Sequence, residues 1–167
     1  MENVSKIQEF KEVMRQGMIQ NFKEYGGLSP ILFFLKDNQP HIIQLPTELF
    51  SSSEGKHKLL QVIKQICIEP NVLAAGMIIE AYGVAMRDED KFAQEILSGN
   101  KRVSEHDNRK DIIVMIFSTP EFEELYSYEV NEDTKEVYGE FGKHEKDNSN
   151  TSNLSGLFSG FFNWNKN

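Results

Sequence analysis

A single carboxylate, Glu80, interrupts the long apolar run from Val72 to Met86. If this run is a strand, Glu80 shares a face with Ile78, Tyr82 and Val84, because alternate residues point to one side of a sheet. A carboxyl group in such surroundings has a raised pKa and can act as a general acid or base. The structural alternative is that Glu80 hydrogen-bonds a neighbour or points outward at the rim of the sheet.

A second group of reactive side chains lies in the charged loop that contains the trio Glu105, His106 and Asp107. With the acidic residues at 88–90, the trio offers oxygen ligands for a divalent cation. Its spacing matches no metal-binding motif, so a solvated loop is the alternative. A small metal-dependent hydrolase or nuclease is therefore one hypothesis, with the candidate catalytic residues Glu80, Asp88, Asp90, His106 and Asp107. It requires these side chains to converge on one cleft.

The remaining nucleophiles and metal ligands form no catalytic arrangement. Cys67 is the only cysteine, which excludes a disulfide within the chain and a cysteine-based zinc site. Ser51–Ser53 precede a predicted helix and are better explained as capping residues. The chain contains no G-x-S-x-G, P-loop or G-x-G-x-x-G motif. The sequence thus predicts no cofactor and no metal site, and favours a protein that is not an enzyme.

The charge balance argues against nucleic-acid binding. The chain has 26 acidic and 18 basic residues, a formal net charge of −8. Such a surface repels phosphate backbones and is explained by solubility, although mimicry of nucleic acid stays open. The longest apolar run is too short for a bilayer span, and the N-terminus has no apolar signal region. We expect a soluble protein without membrane contact, located in the cytoplasm or, for a phage structural protein, in the virion.

The chain changes character near its C-terminus. We expect a single acidic domain over 1–141, a polar Asn/Ser-rich linker over 142–153 and an aromatic docking segment over 154–167. Aromatic side chains supply large contact areas at a low cost in rotamer entropy. The predicted partner-binding residues are Leu154, Leu157, Phe158, Phe161, Phe162 and Trp164. The alternative is a disordered terminus whose apolar residues fold back on the domain.

Helical periodicity and capping signals predict three helices. Ser5 and Gln8 form a capping-box pattern ahead of the first helix, which ends at Gly26. Its apolar face comprises Ile7, Phe10, Met14, Met18, Phe22 and Tyr25. This face packs on a sheet or forms an oligomer seam. A second helix is predicted over 55–68 with a capping pattern at Ser51 and Glu54, and a short third helix over 88–98.

Short β-type runs predict a mainly antiparallel sheet. The predicted strands cover 31–35 and 41–45 as a hairpin, then 72–86, 111–118, 122–130 and 136–141. The run over 72–86 also fits a buried helix. The six apolar residues of 112–117 indicate a central strand buried on both faces, whereas 122–130 alternates as if one face were wet. The predicted class is α+β, with about five to six strands, two to three helices packed on one face and an extended C-terminal tail.

Three short motifs stand out in the middle of the chain. They are Gly26-Gly27-Leu28 after the first helix, Glu80-Ala81-Tyr82 at the end of a strand, and Asn108-Arg109-Lys110-Asp111 before an apolar strand. On these motifs, the region from about residue 26 to 130 resembles short uncharacterised proteins of bacterial and prophage genomes. The resemblance implies no activity and no catalytic residue. The Asn-, Lys- and Ile-rich composition also fits an AT-rich phage genome.

These observations lead to a protein-binding function as the main hypothesis. The first form is a non-enzymatic accessory protein, associated with phage by the resemblance, that binds another protein through its C-terminal aromatic segment. The second is a virion or assembly component in which this segment locks one subunit onto the next. The metal-dependent hydrolase is the third. The predicted partner is therefore another protein or a second subunit of the same protein. In the second case we expect the protein to be an oligomer.

Overall fold

The computed structural model describes residues 2–83, 91–147 and 161–162. The α+β class predicted from the sequence is confirmed. The elements are α1 (Glu2–Tyr25), β1 (Ile31–Lys36), β2 (Gln39–Gln44), α2 (Ser53–Ile68), β3 (Val72–Gly83), α3 (Lys91–Leu97), β4 (Lys110–Ser118), β5 (Phe122–Asn131) and β6 (Glu136–Asp147). Short 3₁₀ segments lie at Thr47–Phe50 and Val103–Glu105.

The described strands form one six-stranded sheet in the order β2-β1-β3-β4-β5-β6. Every neighbouring pair is antiparallel, as the sequence predicts. The edges are β2 and β6, and the most apolar strands, β3 and β4, lie in the middle. A central strand is covered on both faces, which is why β4 has no polar alternation.

The first hairpin is closed by a two-residue turn. Asp37 and Asn38 both have positive φ, at 52° and 62°. This is the backbone of a type I′ turn, whose twist matches that of the flanking strands. Asn71 secures the turn by donating from Nδ2 to Oδ2 of Asp37 at 2.8 Å. The turn fixes the register of β2 on β1, which pairs Lys36 with Gln39 and Phe33 with Ile42.

Residues 72–83 form a strand, which decides between the two structures that the sequence left open for this run. Gly76 explains in part why this run forms a strand. A Cβ at this position would lie 2.2 Å from Cζ of Phe33 and 2.3 Å from the carbonyl oxygen of Ile116. Only glycine allows both neighbouring strands to approach so closely. Residues 84–86 lie outside the part of the chain that the structure describes.

One face of the sheet packs against α1, and we call it the first face. Its buried side chains include Phe33, Met115 and Phe117. They contact the helix face formed by Phe10, Met14, Met18 and Phe22. The predicted periodic face of α1 is thus a core face, and Tyr25 is the member of that pattern that stays exposed.

The opposite face, here the second face, packs against α2. Leu59, Ile63 and Cys67 of α2 are buried with Leu32 and Val114 of the sheet. The two long helices therefore lie on opposite faces, which corrects the prediction that all helices share one face. The reason lies in β3 and β4, which are apolar at both parities, so that both faces need a cover.

The prediction that one face of β5 is exposed to solvent is also wrong. Glu123 and Ser127, on the side predicted to face water, are buried. Leu125, between them on the same side, packs against the second-face core. The alternation of polar and apolar residues is present, but the cover on the second face extends over this strand as well.

Several element boundaries differ from the sequence prediction. The helix α1 begins at Glu2, ahead of Ser5. The N-cap of α2 is Ser52, whose Oγ accepts from the N–H of Gly55 at 3.0 Å, while Ser51 donates to the carbonyl of Glu48. The strand β6 continues to Asp147, because pairing with β5 persists to the end of that strand. Residues 142–147 of the predicted linker therefore belong to the sheet, and 148–153 lie outside the described residues.

Candidate functional site

Glu80 lies near the end of β3 and holds the loop that follows α1. Its Oε1 accepts a hydrogen bond from the backbone N–H of Leu28 at 2.6 Å. The same oxygen lies 3.4 Å from the place of a Cβ at Gly27. Burial raises the pKa of the Glu80 carboxyl above its usual range, the bond from Leu28 opposes this, and the charges of Glu132 and Asp111 add to the rise. The contact is structural, since it joins a strand to a loop.

Two small clefts adjoin Glu80 at this end of the sheet. Glu80 lines one of about 230 Å³, and Asp107 lines the other, of about 500 Å³. Arg109 lies in the second cleft with its guanidinium 5.5 Å from the ring centre of Tyr82. The residues common to both clefts are Tyr82, Asp111 and Glu132. The structure thus brings Glu80 and Asp107 to neighbouring clefts, and the guanidinium of Arg109 lies among the carboxylates there.

The other two members of the acidic loop have local roles. Glu105 accepts from the backbone N–H of Arg102 at 2.6 Å through Oε2. Nδ1 of His106 accepts from the N–H of Asn108 at 3.0 Å. The imidazole ring packs edge-on against the ring of Phe92, with 4.6 Å between the ring centres. Both side chains therefore stabilise the turn in which they lie.

The described residues contain no group of three or more His, Cys, Asp or Glu side chains arranged to hold a metal ion. Asp88 and Asp90, two of the predicted catalytic residues, lie outside the described residues. The hydrolase hypothesis needs Glu80, His106 and Asp107 in one cleft. His106 instead accepts from a neighbouring backbone amide, and it lines neither of the clefts described above.

Cys67 is the one thiol of the chain and is buried in α2 against the second face. Burial, with a smaller contribution from the charge of Glu123, raises the pKa of this thiol to about 12. A thiol that stays protonated is a poor nucleophile and a poor metal ligand. Cys67 is therefore a core residue, as its position on the apolar side of the helix predicts.

Two of the predicted docking aromatics lie in the core of the chain itself. Phe161 is 1% exposed and Phe162 is 6% exposed. Both belong to the second-face core, with α2 and the sheet. The other predicted docking residues, Leu154, Leu157, Phe158 and Trp164, lie outside the described residues.

A groove with a volume of about 660 Å³ lies on the first face between α1 and β2. Its helical wall is a stripe of residues four apart, Val13, Gly17, Asn21 and Tyr25. Its other wall is formed by Ile42 and Gln44 of β2, and Met18 and Ile78 lie in its lining. A Cβ at Gly17 would meet no atom within 4 Å, so this position opens the groove.

The groove is apolar and uncharged. Val13 is 61% exposed, Tyr25 69% and Ile42 60%. None of the described residues that line the groove is Asp, Glu, Lys or Arg, although charged residues make up 26% of the chain. Exposed apolar side chains gathered in one concave surface are typical of binding sites, whereas single ones are common everywhere.

The strand β2 borders the groove, and no other strand of the described residues pairs with its outer backbone edge. The N–H of Leu45 donates to the carbonyl of Pro30 at 2.8 Å, which fixes the phase of the bonding between β2 and β1. Because bonded and non-bonded positions alternate along an antiparallel pair, every second residue of β2 directs its backbone groups away from β1. These outward residues are Pro40, Ile42 and Gln44. Proline has no N–H, so the outward donors are the amides of Ile42 and Gln44.

Sequence reasoning missed this groove. Val13, Gly17 and Asn21 of its helical wall lie beside the predicted apolar face of α1, at positions that a helical wheel assigns to the border of the core. A signal was present, since Val13, Gly17, Asn21 and Tyr25 form an uncharged stripe in an otherwise highly charged helix. The partner wall comes from a strand distant in sequence, which only the fold reveals.

The described helices include none that is both long and apolar enough to cross a membrane. Comparison with known proteins finds no matching protein family, no matching curated protein and no matching solved structure.

Proposed function

We propose that the protein is a non-enzymatic accessory protein, of phage or bacterial origin, that binds another polypeptide through the groove and the outer edge of β2. The observation that carries the proposal is that an uncharged apolar groove lies beside β2, an edge strand of the sheet that the described residues form. We place this function in the cytoplasm of the host cell or in a phage particle.

The geometry suits the addition of an extended segment to the sheet. A strand that pairs with β2 receives hydrogen bonds from the amides of Ile42 and Gln44 and directs alternate side chains into the groove. Main-chain bonds then supply affinity, while the pocket at Gly17 and the exposed ring of Tyr25 supply selectivity.

The test uses a matched pair of substitutions at one position. Gly17→Leu places a branched side chain in the groove, while Gly17→Ala adds a single methyl and gives a similar gain in helix propensity. Each full chain is immobilised and exposed to an extract of the cells that produce the protein. We expect at least one protein that the wild type and Gly17→Ala retain and Gly17→Leu loses. Equal retention by all three chains contradicts the proposal.

A second candidate function is an assembly in which Phe161 and Phe162 fill the second-face core of an adjacent copy in place of that of their own chain. These side chains fill the second-face core of a chain whose last described strand ends at Asp147. The residues between Asp147 and Phe161 span at most roughly 45 Å when extended, which is enough to reach an adjacent copy. The aromatic segment that the sequence predicts to bind a partner would then lock one subunit onto the next, as in an assembly component.

This candidate is tested by the solution mass of the full chain and of Phe161→Ser/Phe162→Ser over a concentration series. Subunit locking predicts an oligomer for the full chain and a monomer for the folded double variant. A full chain that is monomeric at every concentration contradicts it. The variant pair also separates this contact from the groove, because the two surfaces lie on opposite faces of the sheet.

A further inference from the structure

We infer that the groove is occupied by a second copy of this chain, whose β2 pairs antiparallel with β2 about a two-fold axis at Ile42. The inference rests on the proposed function, because it names the partner of that same surface. The product is a continuous sheet through two copies, with the two grooves meeting at the axis. The interface is isologous, so each copy contributes the same residues.

The backbone hydrogen bonds fit this register. Ile42 lies opposite Ile42 of the second copy in this register. The N–H of each Ile42 then donates to the carbonyl oxygen of the other. Gln44 then lies opposite Pro40 of the second copy, and its N–H donates to the proline carbonyl. Each outward N–H of both strands thereby finds an acceptor. The N–H that Pro40 lacks falls opposite the Gln44 carbonyl, which stays open to water at the end of the paired segment.

The side chains favour the same register. The residues of β2 that direct their backbone outward also face α1, since Ile42 pairs with Phe33 of the first-face core. The axis therefore places two apolar Ile42 side chains in contact between the two grooves. A shift of the axis to Ile43 would set Ile42 opposite Gln44 and move the apolar pair to the second face. Ile42 is 60% exposed and Ile43 is 43% exposed, so the chosen register buries more apolar surface.

Charge limits where two copies can meet. Each copy carries a formal net charge of −8, so association requires a surface without acidic groups. The described lining of the groove has no charged residue, and β2 contains no Asp, Glu, Lys or Arg. The opposite edge strand, β6, has Glu136 and Glu140 in its first half, and charges on an edge strand discourage pairing. The edge at β2 is the one suited to a second copy.

The experiment measures the mass of the full chain by sedimentation equilibrium over a concentration series. Wild type is compared with Ile42→Lys, Ile42→Glu, an equimolar mixture of these two, and Val62→Lys. Val62 is the matched control, because it is 54% exposed and lies on α2. Circular dichroism verifies that each variant is folded, which we expect because Ile42 is exposed.

We expect the wild type and Val62→Lys to double in mass with concentration. Each Ile42 variant alone should dimerise at least about tenfold more weakly, because like charges meet at the axis and the apolar pair is lost. The mixture should recover the dimer, since Lys then faces Glu. A monomeric wild type, an unaffected Ile42→Lys, or a mixture that stays monomeric overturns the inference.

The outcomes also separate this inference from the proposed function. A monomeric wild type whose capture of a foreign protein is lost in Gly17→Leu overturns the second copy as partner and leaves the binding function standing. A monomeric wild type with no effect of Gly17→Leu on capture overturns both. A dimer that Phe161→Ser/Phe162→Ser abolishes and Ile42→Lys does not is held by the C-terminal segment, and this also overturns the inference.

Discussion

Oε1 of Glu80 accepts a hydrogen bond from the backbone N–H of Leu28 at 2.6 Å, and this bond joins β3 to one end of the groove. Leu28 lies in the loop between α1 and β1, and it lines the groove together with Gly27. The carboxylate that looks most like a catalytic group in the sequence thus holds a loop residue that lines the groove. The raised pKa of Glu80 makes the stability of the fold depend on pH.

We expect Glu80→Gln to be at least as stable as the wild type at pH 7. The folded pKa of Glu80 is raised, so its favourable contribution is fully present below the unfolded pKa and is lost as the pH rises through the folded pKa. Glutamine keeps an oxygen acceptor for Leu28 without the charge that Glu132 and Asp111 oppose. Urea unfolding at a series of pH values measures the difference, which should vanish below about pH 4.

Glu80→Ala is the matched variant, since it also removes the acceptor. It should lose about 1 kcal/mol of the free energy of unfolding, because the Leu28 N–H no longer has its partner. If the alanine and glutamine variants are equally stable at pH 7, Glu80 does not act through this hydrogen bond.

Lys11→Met should destabilise the fold by about 2 kcal/mol. Lys11 Nζ lies 2.9 Å from Oε2 of Glu124, and the two side chains are only 13% and 14% exposed. The hydroxyl of Tyr126 donates to the same oxygen, so removal of the lysine leaves a carboxylate on β5 with one of its donors lost. Chemical denaturation gives the loss in the free energy of unfolding.

Lys6→Met is the control for this pair, because Lys6 bonds to Glu2 on the same helix with the glutamate 82% exposed. An exposed pair of this kind is screened by solvent and contributes little to the free energy of unfolding. Equal losses for the two lysine variants would contradict a special role for the contact between α1 and β5.

Gly76→Ala and Gly17→Ala should change stability in opposite directions. At Gly76 a methyl overlaps Phe33 and the backbone of Ile116, so we expect a loss of about 3 kcal/mol or more. At Gly17 a methyl meets open space in a helix and should stabilise by about 0.5 to 1 kcal/mol. Thermal unfolding of both variants measures these shifts. A stable Gly76→Ala would mean that β1, β3 and β4 are not packed as described.

Phe161→Ser/Phe162→Ser should increase the rate at which Cys67 reacts with an aromatic disulfide reagent. Both phenylalanines and Cys67 belong to the second-face core, and burial holds the pKa of the thiol at about 12. Loss of the two rings opens that core to solvent and to the reagent. The reaction is followed by absorbance under native conditions, with Tyr25→Ser as an exposed aromatic control. No increase would place the aromatic pair away from α2.

Local patterns were sufficient for most elements of the fold. The periodicity of Phe10, Met14, Met18 and Phe22 predicts the buried face of α1, and the apolar run 112–117 predicts a strand buried on both faces. Both patterns are determined by neighbours in sequence. A turn over 36–40 is predicted for the same reason, and the structure narrows it to Asp37 and Asn38, residue types that tolerate positive φ.

The placement of elements relative to each other could not be predicted in this way. Nothing local to α1 or α2 decides which face of the sheet each helix covers. The burial of Glu123 depends on a cover that extends across β5 from elsewhere in the chain. The groove likewise needs α1 and β2, which are separate in sequence, and Glu80 meets Leu28 over a separation of 52 residues. These are tertiary relationships, and they determine the proposed binding surface.

The most direct measurement is amide hydrogen exchange by NMR at His41, Ile42, Ile43 and Gln44 over a series of concentrations of the full chain. The amides of His41 and Ile43 face β1 and should be protected throughout, which makes them internal controls. The amides of Ile42 and Gln44 should exchange rapidly in dilute solution and become protected as a second copy pairs with β2. Rapid exchange of Ile42 and Gln44 at every concentration would contradict this pairing.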